Sequence, residues 1–237
     1  MFKGFNNRQQ HSFPNINFGG NYGQAYNFSR CLLWLDAAYG TSTVVNGAGV
    51  SSWVDKINGV TYSQGTAGAQ PTYVASDANF NNLPALSFSG LRLMVGSNTF
   101  GLGSLTHAIV VRATSTLATQ HNVILAGGSA IGFGGLGSAA AATGYGYYNN
   151  GNAFTKTNIE DTAMHIIIAN RNFVIIDGIN QTSQTSATTF LFSQIGSDGG
   201  NNGANSVIAE ILLYDYLMSE TDAIQLSSNI NAKYQKY

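Results

Sequence analysis

The sequence predicts an all-β protein, a sandwich or jelly roll, with an extended N-terminal arm and a short C-terminal helix. Three observations carry this expectation. From Arg30 to Tyr214 the chain falls into short runs of β-branched and aromatic residues, bounded by clusters of Gly, Asn, Ser and Asp. A sustained apolar period near 3.6 occurs in one place, after Ser219. Residues 1–30 hold no period of either kind.

That first segment is read as an arm, residues 1–30, and the rest, residues 31–237, as one domain. In the arm Asn, Gln, Gly and Ser alternate with single aromatics, and Phe2, Phe5, Phe13, Phe18, Tyr22 and Tyr26, with Arg8, are the expected anchoring residues. A chain of this composition cannot build a core of its own. It is ordered only when something holds it down, either its own domain or, as the favoured reading, a neighbouring subunit.

The expected strands are Cys31–Leu35, Ala85–Phe88, Leu91–Val95, His107–Ala113, Val123–Ala126, His165–Ala169, Phe173–Asp177, Phe190–Ile195 and Val207–Tyr214. Runs such as Ile166-Ile167-Ile168 and Val174-Ile175-Ile176 suit a packed, pleated surface. Many short strands with polar turns point to a sandwich or jelly roll. At the end, Ser219 and Asp222 form a capping-box-like helix start. Ala223, Leu226, Ile230, Tyr234 and Tyr237 then share one face, and Lys233 and Lys236 stand where the helix dipole favours cations. This helix is expected to pack and to carry no chemistry.

At 237 residues the chain has the length of one large domain. A chain of this size buries roughly 70–75% of its unfolded surface, enough for a core without covalent staples. Ten basic against 11 acidic residues, net charge −1, leaves no electrostatic footprint for nucleic acid or an anionic membrane. Charged residues are 9% of the chain, against about 25% in an average domain. Cys31 is the single cysteine, so an intrachain disulfide is excluded, and it reads as a small buried hydrophobe. No basic segment followed by an apolar one opens the sequence, and no apolar run reaches the ~20 residues of a membrane span. Synthesis and folding in a cytoplasm are therefore expected, and the Asn27-Phe28-Ser29 and Asn180-Gln181-Thr182 sequons carry little weight.

Three blocks resemble the concanavalin A-like lectin/glucanase superfamily in its laminin-G-like form, common in bacterial and phage proteins. The first is Leu33-Trp34-Leu35-Asp36-Ala37 with Trp53-Val54-Asp55-Lys56. The second is Gln70-Pro71-Thr72-Tyr73 with Leu83-Pro84-Ala85-Leu86-Ser87-Phe88-Ser89-Gly90, where Ser87 and Ser89 replace the family's Arg and Asp. The third runs from Ile208-Ala209-Glu210 through Tyr214-Asp215 to Lys233-Tyr234. The resemblance implies a two-sheet antiparallel jelly-roll sandwich of roughly 14 strands, and with it Trp34, Trp53 and Phe88 as core residues.

Catalytic readings find little support. Glycosidases need two carboxyls about 5–9.5 Å apart. Glu160 and Asp161 are adjacent, and Glu210 and Asp215 are five apart, so either pair would face opposite ways on an unbroken strand. Gly132-Phe133-Gly134-Gly135-Leu136-Gly137 matches G-x-G-x-x-G formally, but the glycines that follow interrupt the helix a dinucleotide site needs. Asp198 to Gly203 offers oxygen ligands and a weak calcium candidate at Asp198, yet Gly200 and Ala209 fall where an EF-hand needs ligands. No cofactor is expected. His11, His107, His121 and His165 are scattered, and His107 and His165 read as satisfied core or edge residues.

Two functions remain. The first is a non-catalytic structural or adhesion component of a virus particle, such as a phage capsid decoration or head-fibre protein. It would sit on the virion surface, assembled in the host cytoplasm, as a homo-oligomer (a trimer is possible) attached by its arm to other virion proteins such as the major capsid protein. Low charge with abundant Asn, Gly, Ser and Thr suits broad interfaces with few desolvated charges. The second is a lectin-like module binding surface glycans. Its candidate platform is Tyr145, Tyr147 and Tyr148 with Asn149, Asn150 and Asn152; a tyrosine-rich hairpin packed at an oligomer interface would explain the same residues.

Overall fold

The computed structural model describes residues 28–90, 92–101, 104–114, 122–127, 131–136, 144–149, 152–156, 161–183, 191–197, 203 and 205–237. The expected anchoring residues Phe2, Phe5, Arg8, Phe13, Phe18, Tyr22 and Tyr26 lie outside them, as do Asn150, Glu160 and Asp198.

In chain order the strands are β1 (Cys31–Asp36), β2 (Ser52–Val54), β3 (Thr61–Ser63), β4 (Thr72–Asp77), β5 (Leu83–Phe88), β6 (Met94–Gly101), β7 (Thr106–Ala113) and β8 (Asn122–Ala126). They continue as β9 (Ile131–Leu136), β10 (Gly144–Asn149), β11 (Asn152–Lys156), β12 (Met164–Asn170), β13 (Phe173–Ile176), β14 (Ile179–Asn180), β15 (Leu191–Ile195) and β16 (Ser206–Tyr214). A single α-helix, α1 (Glu220–Tyr234), follows among the described residues. One sheet runs β14-β13-β12-β7-β16-β5-β4, with β1 paired to the far half of β16; the other runs β11-β10-β9-β8-β15-β6-β3-β2. The named pairings are antiparallel, as expected for a sandwich.

The first sheet is covered on both faces. Inward, Leu33, Leu35, Ile109, Val111, Ile167, Ile208, Ile211 and Leu213 meet Trp53, Tyr62, Phe133 and Phe192 of the second sheet. Outward, Val110, Ile166, Ile168, Ile175 and Leu212 pack with Ala223, Leu226 and Ile230 of α1. Strands β7, β12 and β16 are therefore apolar on successive residues rather than on alternate ones, as strands buried on both sides must be. Trp34, Trp53 and Phe88 are core residues, as expected. So is Cys31, whose thiol donates to the Leu33 carbonyl at 3.1 Å and is pushed up to about 12 by burial.

The helix starts where its cap predicts. Ser219 Oγ accepts from the Asp222 amide at 3.2 Å and donates to the Asp222 carboxylate at 2.7 Å. It stops one residue after Lys233, because Gln235 adopts a left-handed conformation. Tyr237 therefore lies beyond the helix and is exposed, not on its buried face as the periodicity predicts. Among the described residues no helix is long and apolar enough to cross a membrane.

Candidate functional site

Within β16 the pairing with β7 slips by one residue: Ile208 faces Val111, but Glu210 faces Val110. A bulge of this kind puts two successive residues on one side of the strand. Here Ala209 and Glu210 both turn toward α1, while Ile208 and Ile211 turn into the sandwich. The bulge delivers a carboxylate with no solvent exposure into an apolar layer, and its partners come from β1 and α1.

Glu210 Oε1 accepts from the Trp34 indole at 2.5 Å. Its Oε2 accepts from the Tyr234 hydroxyl at 2.8 Å and from Lys233 Nζ at 3.1 Å. Lys233 also donates to Asp36 Oδ2 at 3.1 Å, and Lys56 reaches the same oxygen at 3.3 Å. Asp36 and Glu210 are cross-strand neighbours in the β1–β16 pair. Two carboxylates and two ammonium groups thus close a charge-balanced cluster. Trp34 is fixed on both faces, by the Phe28 ring at 4.6 Å and by Lys56 Nζ at 3.8 Å from the ring centroid. Asp55 accepts from the Trp34 amide at 2.5 Å and caps the following turn through Asn58 N at 2.6 Å. Gly40 closes the frame. Its φ of +73° turns the chain after β1 back against β2, so close that an added Cβ would lie 2.4 Å from the Val54 carbonyl oxygen.

The electrostatics follow from this arrangement. Burial pushes the Glu210 carboxyl up and the neighbouring Asp36 adds to it, against the pull of Lys233. Burial acts the same way on Asp36, but Lys233 and then Lys56 outweigh it and hold Asp36 below the usual carboxylate range. For Lys233 burial alone would lower the value, and Glu210 and Asp36 raise it instead. The cluster fastens β1, β16 and the end of α1 to one another. Lys233 was expected only to complement the helix dipole; its ammonium is the centre of this cluster.

At the hairpin the structure corrects the glycan platform. Tyr145 and Tyr147 are buried, their side chains pointing between the sheets. In the run Gly144-Tyr145-Gly146-Tyr147 the aromatics occupy alternate positions, so one face of β10 receives both rings. Tyr147 Oη is hydrogen-bonded to His107 Nδ1 at 3.0 Å, and its ring meets Phe133 edge-on at 5.1 Å. Complete burial pushes His107 down to about 3, so its ring is neutral. Neither tyrosine can stack on a sugar in this position. Asn149 and Asn152 are paired across the β10–β11 turn, which places Tyr148 one residue before it.

The other chemistry-bearing residues are accounted for locally. His165 lies between two carboxylates, 2.8 Å from Asp177 Oδ2 and 2.9 Å from Asp161 Oδ1. Arg112 pairs with Asp77 at 3.0 Å. Arg30 pairs with Asp215 at 2.6 Å and covers the Tyr216 ring. Phe28 and Arg30, at the end of the expected arm, are thus bonded to the sandwich. Among the described residues no group of three or more His, Cys, Asp or Glu could hold a metal ion. Residues 132–136 of the glycine motif form β9, a strand and not a phosphate loop. Tyr39, which the sequence reading passed over, is an exposed ring with Lys56 Nζ 5.2 Å from its centroid.

No protein-family model matches the sequence, and no curated protein matches it. Solved structures do match by shape. Domain 4 of an extracellular arabinanase from Geobacillus stearothermophilus, in complex with arabinotriose, superposes with a TM-score of 0.58 at 11% identity, covering 84% of this chain and 98% of that domain. The chain has a jelly-roll β-sandwich fold. The binding domain of Paraclostridial Mosquitocidal Protein 1 matches with a TM-score of 0.52 at 10% identity, over 84% of this chain and 52% of that one. Trypanosoma rangeli sialidase matches with a TM-score of 0.50 at 13% identity over 86% of this chain, which spans about a third (32%) of the sialidase. At such identities the likeness is one of fold.

Proposed function

We propose that this chain is a non-catalytic recognition module of lectin type, taking a glycan as its ligand. The observation that carries the reading is the match over nearly the full length of a separate domain whose own structure contains a trisaccharide. A second feature supports it. Eight of the nine described carboxylates have partners: Asp36 and Glu210 in the cluster, Asp161 and Asp177 on His165, Asp77 on Arg112, Asp215 on Arg30, and Asp55 and Asp222 at turn or helix caps. Glu210 and Asp36 are near neighbours, but Glu210 is sealed from solvent and a glycosidase acid must touch its substrate.

With Tyr145 and Tyr147 turned inward, the proposed stacking surface is Tyr148 with Asn149, Asn150 and Asn152. Tyr39 is an exposed ring against which to compare it. Titration of the whole chain with arabinotriose, followed by a glycan array, tests the reading. Saturable binding is expected, weakened about tenfold or more by Tyr148→Ala, with no sugar released by hydrolysis; loss of one aromatic stacking partner is worth about 1.4 kcal/mol in such terms. Loss in Tyr39→Ala alone would move the site to the loop after β1. Absence of binding to every glycan would overturn the lectin reading.

As its setting we propose a virus particle, attached through residues 1–27. Because Phe28 and Arg30 are bonded to the sandwich, the truncation that tests this stops before Phe28. Removing residues 1–27 is expected to abolish co-sedimentation with capsids and leave thermal unfolding of the sandwich unchanged; retained attachment would reject the arm as the anchor.

A further inference from the structure

His165 is the second residue of β12, and its two ring nitrogens face carboxylates from different segments. Asp161 belongs to the stretch that enters β12, and Asp177 ends β13 in the turn to β14. Asp177 holds φ at +51°, a conformation few non-glycine residues adopt, and that orientation aims its carboxylate at β12. There Oδ2 meets His165 Nδ1 and Oδ1 accepts the Ile166 amide at 2.9 Å. Asp161 Oδ1 accepts from the Ala163 amide at 2.7 Å and faces His165 Nε2.

A neutral imidazole has one N–H and can donate to one acceptor; the imidazolium has two. Carboxylates on both nitrogens are therefore satisfied together only in the charged form. In the neutral form one of them confronts a lone pair. We propose that His165 is a proton-operated clasp: charged, it ties the β13–β14 turn and the segment entering β12 to the sandwich, and on losing its proton it lets go of one of them.

The surroundings described in the structure agree. Across the first sheet His165 pairs with Val111, which carries no charge. From the second sheet the Tyr145 ring approaches edge-on at 5.9 Å. From the C-terminal tail Lys236 acts on Asp161, and the Tyr237 hydroxyl lies over Gly178, next to Asp177. Burial lowers the imidazole value, but Asp177 and then Asp161 outweigh it, so His165 titrates above its ordinary 6.5. Asp161 is held below the usual carboxylate range, with the Ala163 amide and His165 outweighing its own burial. A value raised on folding stabilises fully below the unfolded value near 6.5, and the stabilisation is lost as pH rises through the folded value. Each unit of difference is a tenfold change in the closing equilibrium.

The test uses the whole chain. Imidazole NMR, with His165→Gln to assign the resonance, is expected to show His165 titrating above the ordinary value, and Asp161→Asn to bring it down while leaving Asp177 in place. Hydrogen exchange of the Ile166 and Ala163 amides, which donate to Asp177 and Asp161 respectively, corrected for intrinsic rates, is expected to show one of the two losing protection about tenfold or more between about pH 5.5 and about pH 8.5, with Asp161→Asn shifting the midpoint downward. Titration at or below the ordinary value, or protection unchanged across the titration, would overturn the clasp. Either readout in Asp161→Asn suffices if His165→Gln does not fold.

Discussion

Replacing Glu210 by alanine is expected to cost about 3–5 kcal/mol, measured as a shift in the urea midpoint at constant slope. The magnitude follows from what the carboxylate leaves behind. Trp34 Nε1–H, the Tyr234 hydroxyl and one donor of Lys233 lose an acceptor in a layer that water does not reach. The buried ammonium then faces Asp36 alone, which Lys56 also occupies. Breaking a buried pair costs far more than the pair contributes against apolar replacements. The double variant Glu210→Met with Lys233→Met, which removes both charges and leaves Asp36 to Lys56, is therefore expected to recover part of the loss, the Trp34 and Tyr234 donors still lacking the Glu210 acceptor. A Glu210→Ala cost below about 1 kcal/mol would show that the cluster does not fasten the helix to the sheet, since surface pairs reach only that much.

This cluster also shows which parts of the molecule the sequence makes legible. The three blocks that resemble the laminin-G-like pattern were visible as strings. What they do together was not, because their contacts join residues as far apart as Asp36 and Lys233. The Leu-Trp-Leu-Asp-Ala block supplies Trp34 and Asp36, the Trp-x-Asp-Lys block supplies Asp55 and Lys56, and the last block supplies Glu210, Lys233 and Tyr234. Parity arguments fail at the same place. Counting alternate positions on an unbroken β16 assigns a face to Glu210 that the bulge at Ala209 changes, and no residue there marks a bulge in advance.

Elsewhere the limits are those of local pattern. Strands such as Ile166–Ile168 and Val207–Leu213 declare themselves by β-branched content, and β12 and β16 extend them by only a residue or two. Strands β2 and β3 have three residues each, too few to show any period. Strands β9 and β10 were hidden by glycine, which reads as a breaker although Gly-Phe-Gly and Gly-Tyr-Gly-Tyr alternate with period two. The same alternation is the available signal that Tyr145 and Tyr147 share a face; which of the two faces it is, only their burial in the structure decides.

Tyr147→Ala is accordingly expected to act on stability, by about 3–5 kcal/mol, the range for deleting a large buried ring. The ring touches Phe133 and His107, both without solvent exposure, so its removal leaves a cavity at the centre of the inter-sheet layer. It also deprives His107 Nδ1 of its partner, and His107 Nε2 already has no hydrogen-bond partner among the described residues. Tyr147→Phe separates the two contributions. It keeps the ring and removes the hydroxyl that bonds His107 Nδ1, for an expected cost of about 1–3 kcal/mol. Neither variant should weaken glycan binding beyond what its fraction unfolded explains. The comparison is decisive in the opposite case: a Tyr147→Ala protein as stable as the parent but unable to bind sugar would place that ring on the surface, and return the hairpin tyrosines to the role their sequence first suggests.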